Sequence, residues 1–159
     1  MKQNKPKVIK PEQALIRLET LCARGEHSTR ELREKMRRWA IDPGDADKII
    51  ESLTKRRFVD DERFARAYIN DKFRFARWGR RKIAVGLAGK GIPSSIYRDL
   101  FAEIDQTEYE TILSDLLLAK SRSIEEPKTY EGRTKLYRFG ISRGYESETV
   151  SRLIRRLFV

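Results

Sequence analysis

One cysteine and one histidine in 159 residues leave this chain little material for covalent or metal chemistry. Cys22 has no second cysteine to pair with, so an intramolecular disulfide is excluded, and the usual Cys/His metal clusters and His-based triads lack their components. The thiol is read as a small packed hydrophobe and His27 as a turn residue. There is no apolar signal segment and no hydrophobic run of 18 residues, so the expectation is a soluble, cytoplasmic protein that does not enter a membrane. No segment alternates apolar and polar residues between turn signals, which removes strands from the reading. Gly86-Leu87-Ala88-Gly89-Lys90-Gly91 superficially suggests a nucleotide loop. A P-loop needs four residues between its glycines, a Ser or Thr after the lysine and a strand before it, and all three are missing. Asp60-Asp61 could hold Mg²⁺ in principle but reads as a helix cap. No catalytic residue, metal or cofactor is expected, and the chain is not read as an enzyme.

Positive charge is what the chain has in excess. Lys and Arg number 35 against 24 Asp and Glu, a net charge of +11 with a pI near 9.9. A polyanion or an acidic protein surface is the implied partner. The excess is +6 over residues 1–58, +4 over 59–104 and +1 over 105–159, so the field comes mainly from the first two thirds. Residues 1–10, MKQNKPKVIK, carry four lysines and read as a flexible basic tail.

Helix signals follow in regular order. Pro11 suits a first helical position, and Ala14, Leu15, Leu18, Leu21 and Cys22 mark a buried stripe behind it. Ser28-Thr29-Arg30-Glu31 is a capping box, with Leu32, Met36 and Trp39 as the inner face of its helix. Asp42-Pro43-Gly44-Asp45 makes a turn, and Ala46, Ile49, Ile50 and Leu53 carry a third helix that ends at Lys55-Arg56-Arg57, a solvated helix end. Asp60 or Asp61 then starts a helix with Phe64, Ala65, Tyr68, Ile69, Phe73 and Ala76 inside. Gly79 breaks it. A further stripe, Ile83, Ala84, Leu87 and Ala88, stops at Gly89 and Gly91. Thr107-Glu108-Tyr109-Glu110 reads as another capping box, and Ser147 as the cap of a last helix. The longest irregular piece is Lys120 to Gly132.

This plan repeats. Ile83, Leu87, Ile92, Leu100, Phe101 and Ile104 lie 51 positions after Leu32, Met36, Ile41, Ile49, Ile50 and Leu53, and Leu136, Tyr145, Leu153, Ile154 and Leu157 lie 53 positions after Ile83, Ile92, Leu100, Phe101 and Ile104. Gly91 and Gly144 occupy matched helix stops, and the first copy has Ala40-Ile41 there. The units are residues 11–58, 59–105 and 106–159. A period near 50 in helices too small to bury their own faces implies stacked three-helix repeats.

Six basic residues fall in the eleven positions from Lys72 to Lys82: Lys72, Arg74, Arg77, Arg80, Arg81 and Lys82, with Phe73, Phe75 and Trp78 between them. Arginine forks can bond phosphate or carboxylate, and an exposed ring could stack on an unpaired base. The aromatics read as core and the arginines as a working surface, because no acidic residue interrupts the run. A solvated corner is the alternative.

Phe58-Val59-Asp60-Asp61-Glu62-Arg63-Phe64-Ala65 resembles the G-[FY]-[LVI]-[DN]-D-x-x-[FY]-A signature of RecX, the bacterial regulator of the RecA recombinase. Ser28-x-x-Glu31-Leu32-x-x-Lys35-Met36, Gly79 to Ile92, Arg138-Phe139 and Arg143-Gly144-Tyr145 are similar to that family's other marks, and the match runs over residues 11–158. Asp60, Asp61, Phe64, Gly91 and Gly144 are its structural positions. The resemblance implies an all-α fold of three tandem three-helix repeats, about nine helices in an elongated, curved, right-handed array. It implies a monomer docked in the groove of the RecA filament on single- or double-stranded DNA. There it would dampen ATP hydrolysis, strand exchange and co-protease activity, with a place in DNA repair, recombination and the SOS response. A stand-alone DNA- or RNA-binding helical module is the other reading. Two positions depart from the family pattern. Arg57 stands where relatives often have glycine. Gly140 stands where they often have a bulky apolar residue, and it should weaken its helix by about 1 kcal/mol relative to alanine.

Overall fold

Pro11 opens the first helix of the computed structural model, which describes residues 8–159. Among those residues there are nine helices and no strand. They are α1 (Pro11–Arg24), α2 (Thr29–Arg38), α3 (Pro43–Lys55), α4 (Asp61–Arg74), α5 (Arg80–Gly89), α6 (Ser94–Ala102), α7 (Gln106–Ser121), α8 (Tyr130–Ser142) and α9 (Ser147–Leu157). Helices pack in threes: α3 against both α1 and α2, then α4, α5 and α6 on one another, then α7, α8 and α9. The proposed tail falls mostly on residues 1–7, outside the described residues. Its last part is ordered, since Ile9 is buried in the first core and Lys10 occupies the N-cap position of α1.

The helix starts rest on side-chain acceptors for backbone N–H groups that no carbonyl within the helix can reach. Ser28 accepts from the Glu31 N–H and the Glu31 carboxylate accepts from the Ser28 N–H, both at 3.2 Å, which forms the expected capping box. Asp42 and Asp60 cap α3 and α4 through the N–H groups of Gly44 and Arg63. Two expectations are corrected. Asp105, not Thr107, caps α7, accepting the Glu108 N–H at 2.8 Å, because a carboxylate at this extended position also meets the positive end of the helix dipole. Ser147 is the first residue of α9 rather than its cap, and its hydroxyl bonds the Tyr137 hydroxyl at 2.8 Å. Irregular backbone between α7 and α8 is also shorter than expected, since Gly132 lies within α8.

All three middle helices end alike. The N–H groups of Ile41, Ile92 and Tyr145 reach back to the carbonyls of Met36, Leu87 and Gly140 at 3.0–3.2 Å, and each apolar side chain folds into the core. The residue before it is left-handed each time: φ is +77° at Gly91, +93° at Gly144 and +55° at Ala40. The first copy thus adopts the glycine conformation without a glycine.

Repetition in sequence does not give three equal cores. Ala14, Leu18, Leu32, Met36, Ile49, Ile50 and Leu53 form one cluster inside the first unit. A second, continuous cluster runs from Phe64, Phe73, Ile83 and Leu87 through Tyr109 and Tyr145 to Leu136 and Leu153, so the second and third units share one interior. Among the described residues no helix is long and apolar enough to cross a membrane.

Candidate nucleic-acid interface

The basic run forms the corner between α4 and α5. Helix α4 ends at Arg74 with Phe75 as its cap residue, residues 76–78 turn, and Gly79 leads into Arg80. The three interleaved aromatics separate into three environments. Phe73 is core, stacked on Tyr109 with ring centroids 5.8 Å apart. Trp78 packs on the shared core and carries the ammonium groups of Lys72 and Lys82 over its ring, 5.0 and 4.6 Å from the centroid. Phe75, expected inside, is 83% exposed because it follows the last turn of α4 and faces no other helix.

The cations divide as well. Folding brings acids to a run that has none in sequence: Arg74 pairs with Glu108 at 3.7 Å and Arg80 with Glu146 at 3.6 Å. Arg80 is a structural residue. Its guanidinium lies 4.0 Å from the Tyr109 ring centroid and bonds Gln106, while its backbone N–H donates to the Tyr109 hydroxyl, which in turn donates to Glu146 at 2.8 Å. Burial pushes the Tyr109 and Tyr145 phenols well above their ordinary range, so both remain neutral donors. Arg77 and Arg81 project into solvent with no ion-pair partner among the described residues.

The corner is held by the third unit. Gly79 N–H donates to the Arg143 carbonyl at 2.8 Å and Arg81 N–H to the Gly144 carbonyl at 2.9 Å. The Tyr145 hydroxyl donates to the Arg77 carbonyl at 3.1 Å, and the Arg143 guanidinium bonds the Ala76 carbonyl. Gly144 approaches the Lys82 backbone so closely that a Cβ would stand 2.6 Å from its nitrogen. Arg143-Gly144-Tyr145 is therefore both a helix stop and the clamp that sets the path of residues 76–81.

The signature aspartates divide their labour across the other boundary. Asp60 caps its own helix. Asp61 accepts the Thr29 N–H at 2.8 Å and so caps α2 of the preceding unit. Arg63 pairs with Glu26 at 2.6 Å and Lys90 with Glu31 at 2.7 Å over the same seam, where Gly91 packs against the Arg30 side chain. Burial raises the Glu31 carboxyl, but hydrogen bonds from Lys90 and the Ser28 N–H outweigh it and hold the group below its ordinary value, while that same pairing raises Lys90. Phe64 is core, tilted against Tyr68 with centroids 6.0 Å apart.

Cations also lie outside the run. Arg37 and Arg38 are exposed on α2, and Lys135 and Arg138 on α8, where with Lys120 and Phe139 they border an open groove of about 650 Å³. The 53-residue spacing leads from Lys82 to Lys135, whereas Arg37, Arg38 and Arg138 align with Ala88, Gly89 and Val85 and carry no such signal. Among the described residues no group of three or more His, Cys, Asp or Glu side chains is placed to hold a metal.

Comparison with known proteins gives one consistent result. A family model described as the second three-helix domain of RecX matches residues 60–99. The Regulatory protein RecX of Clostridium beijerinckii is 32% identical over 130 residues, 80% of this chain, and the match covers 60% of that relative's own length. The Regulatory protein RecX of Chlorobium limicola is 31% identical over 151 residues, covering 94% of this chain and 91% of the relative. The crystal structure of RecX from Lactobacillus salivarius superposes with a TM-score of 0.83 over 92% of this chain and 96% of that one, at 17% identity, a likeness of fold.

Proposed function

This chain belongs to the RecX family of regulatory proteins, and from that premise we propose that it is a non-catalytic, mainly negative modulator of RecA. It docks as a monomer in the groove of the RecA filament on DNA and dampens ATP hydrolysis, strand exchange and co-protease activity. The observation that carries the reading is the cationic corner. Arg77 on the turn and Arg81 in the first turn of α5 stand free of carboxylates at a corner that four hydrogen bonds and one close backbone approach from the neighbouring unit hold in place, so a protruding anion-binding edge is fixed before any partner arrives. An elongated body with such an edge fits a long nucleoprotein groove. DNA contact is electrostatic and weak by comparison with the filament.

RecA ATPase on single-stranded DNA, titrated with this protein, tests the proposal. Inhibition at ratios far below one protein per RecA is the expected outcome, with Arg77→Glu/Arg81→Glu weakening it at least tenfold. Inhibition only when enough protein is present to coat the DNA would favour the stand-alone nucleic-acid module instead.

A further inference from the structure

The middle helix of each unit carries the charge. Helices α2, α5 and α8 hold five basic residues against two acidic, three against none and three against one, while the other six helices hold 13 of each sign. The same three helices meet end to end. The last turn of α8 supplies carbonyls to the first N–H groups of α5, through Gly79 to Arg143 and Arg81 to Gly144. The last turn of α5 abuts the start of α2 in turn, through Lys90 to Glu31 at 2.7 Å and Gly91 against Arg30. The three helices joined at these contacts hold 33 residues, a summed helix length of about 50 Å, and form the basic ridge.

On the solvent side of this ridge the cations are left unpaired. Arg30, Arg33 and Lys90 have acidic partners. Arg37 and Arg38 on α2, Arg81 on α5, and Lys135 and Arg138 on α8 are exposed and have none among the described residues. The buried positions fix their direction. Leu32 and Met36, Ile83 and Leu87, and Leu136 and Gly140 face inward at matched positions, so these five side chains fall on the outward side of each helix.

We propose that the α8–α5–α2 ridge is a single track for the phosphate backbone of a nucleic acid, with the first and third units contributing contacts equal in kind to those of the second. This deepens the functional reading above and rests on it. A discrete acidic pocket on a protein would be met by cations gathered at one point. Cations spread over all three units, two, one and two, suit a linear polyanion, whose duplex form carries one charge per roughly 1.7 Å. Four of the five are arginines, which grip phosphate with two parallel bonds.

Fluorescence anisotropy of the full chain on a 30-nucleotide oligothymidylate and on a 30-base-pair duplex, across a salt series, tests the track. Arg37→Gln/Arg38→Gln and Lys135→Gln/Arg138→Gln are each expected to lower the magnitude of the log-affinity against log-salt slope by about 1.8 on the duplex and 1.4 on the single strand. Arg81→Gln alone should lower it by half as much. Circular dichroism confirms that these surface variants fold. Outer pairs that bind both DNAs with unchanged affinity and slope overturn the proposal. If those same variants fail to inhibit RecA, the ridge meets protein rather than phosphate and the regulatory reading survives. If wild type leaves RecA unaffected while the slopes change as stated, the track stands and the regulatory reading fails.

Discussion

Ala40, Arg57 and Arg77 hold left-handed backbone with φ between +55° and +60°, where a Cβ crowds the following carbonyl. That conformation costs a non-glycine residue about 1–2 kcal/mol, and glycine returns part of the gain as unfolded-state entropy. Ala40→Gly and Arg57→Gly should therefore each raise stability by about 0.5–1 kcal/mol, read as an increase in melting temperature; a decrease would mean that the side chains make contacts worth more than the strain. Gly140 argues in the opposite direction. Helix propensity alone says alanine is better there by about 1 kcal/mol. A Cβ at this position would stand 2.7 Å from Cγ1 of the fully buried Val150, so α8 approaches α9 over a missing side chain. Gly140→Ala should destabilise by about 1–3 kcal/mol through overpacking, with Gly140→Ala/Val150→Ala recovering part of the loss. A stabilised single variant would return the position to simple helix propensity.

Helix α9 is tied to α7 by a two-pronged ion pair, Glu110 to Arg152 at 2.7 and 3.0 Å. Hydrogen bonds from Arg152 and then Gln106 lower the Glu110 carboxyl from its ordinary value of 4.5 to about 2. A depressed folded-state value stabilises above the ordinary one, and the benefit drains away as pH falls from about 4.5 toward 2. Melting temperature should drop across that window, and Glu110→Gln should flatten the drop while leaving pH 7 to 8 behaviour parallel to wild type. An unchanged acid profile in the variant would refute the assignment. At this scale the sequence was a good guide, because helix starts and stops are local chemistry. The Ser28 capping box, the Asp60 cap, Pro11 and the Gly91 and Gly144 stops all act within one turn of themselves. Where two acceptors competed, as Asp105 did with Thr107, spacing alone could not choose between them.

Contacts between units were not legible in the chain, since they join residues far apart in sequence. Asp61 caps a helix 32 positions earlier, and the Tyr145 hydroxyl reaches a carbonyl 68 positions away. The same distance hid Glu108 and Glu146, which turn two of the six singled-out cations into bracing, and it hid the division into one small core and one shared core. What composition did reveal was the sign of the surface. Its placement on the three middle helices needed the fold, and under the proposed track the binding element is the whole molecule rather than the second unit alone. Photo-cross-linkers placed singly at Arg37, Arg81 and Arg138 on RecA–DNA filaments measure this most directly. Adducts to the filament from all three positions at one protein per binding site, each lost on adding salt, are the predicted result, and adducts from one unit only, or none above those formed with free RecA, would contradict the account.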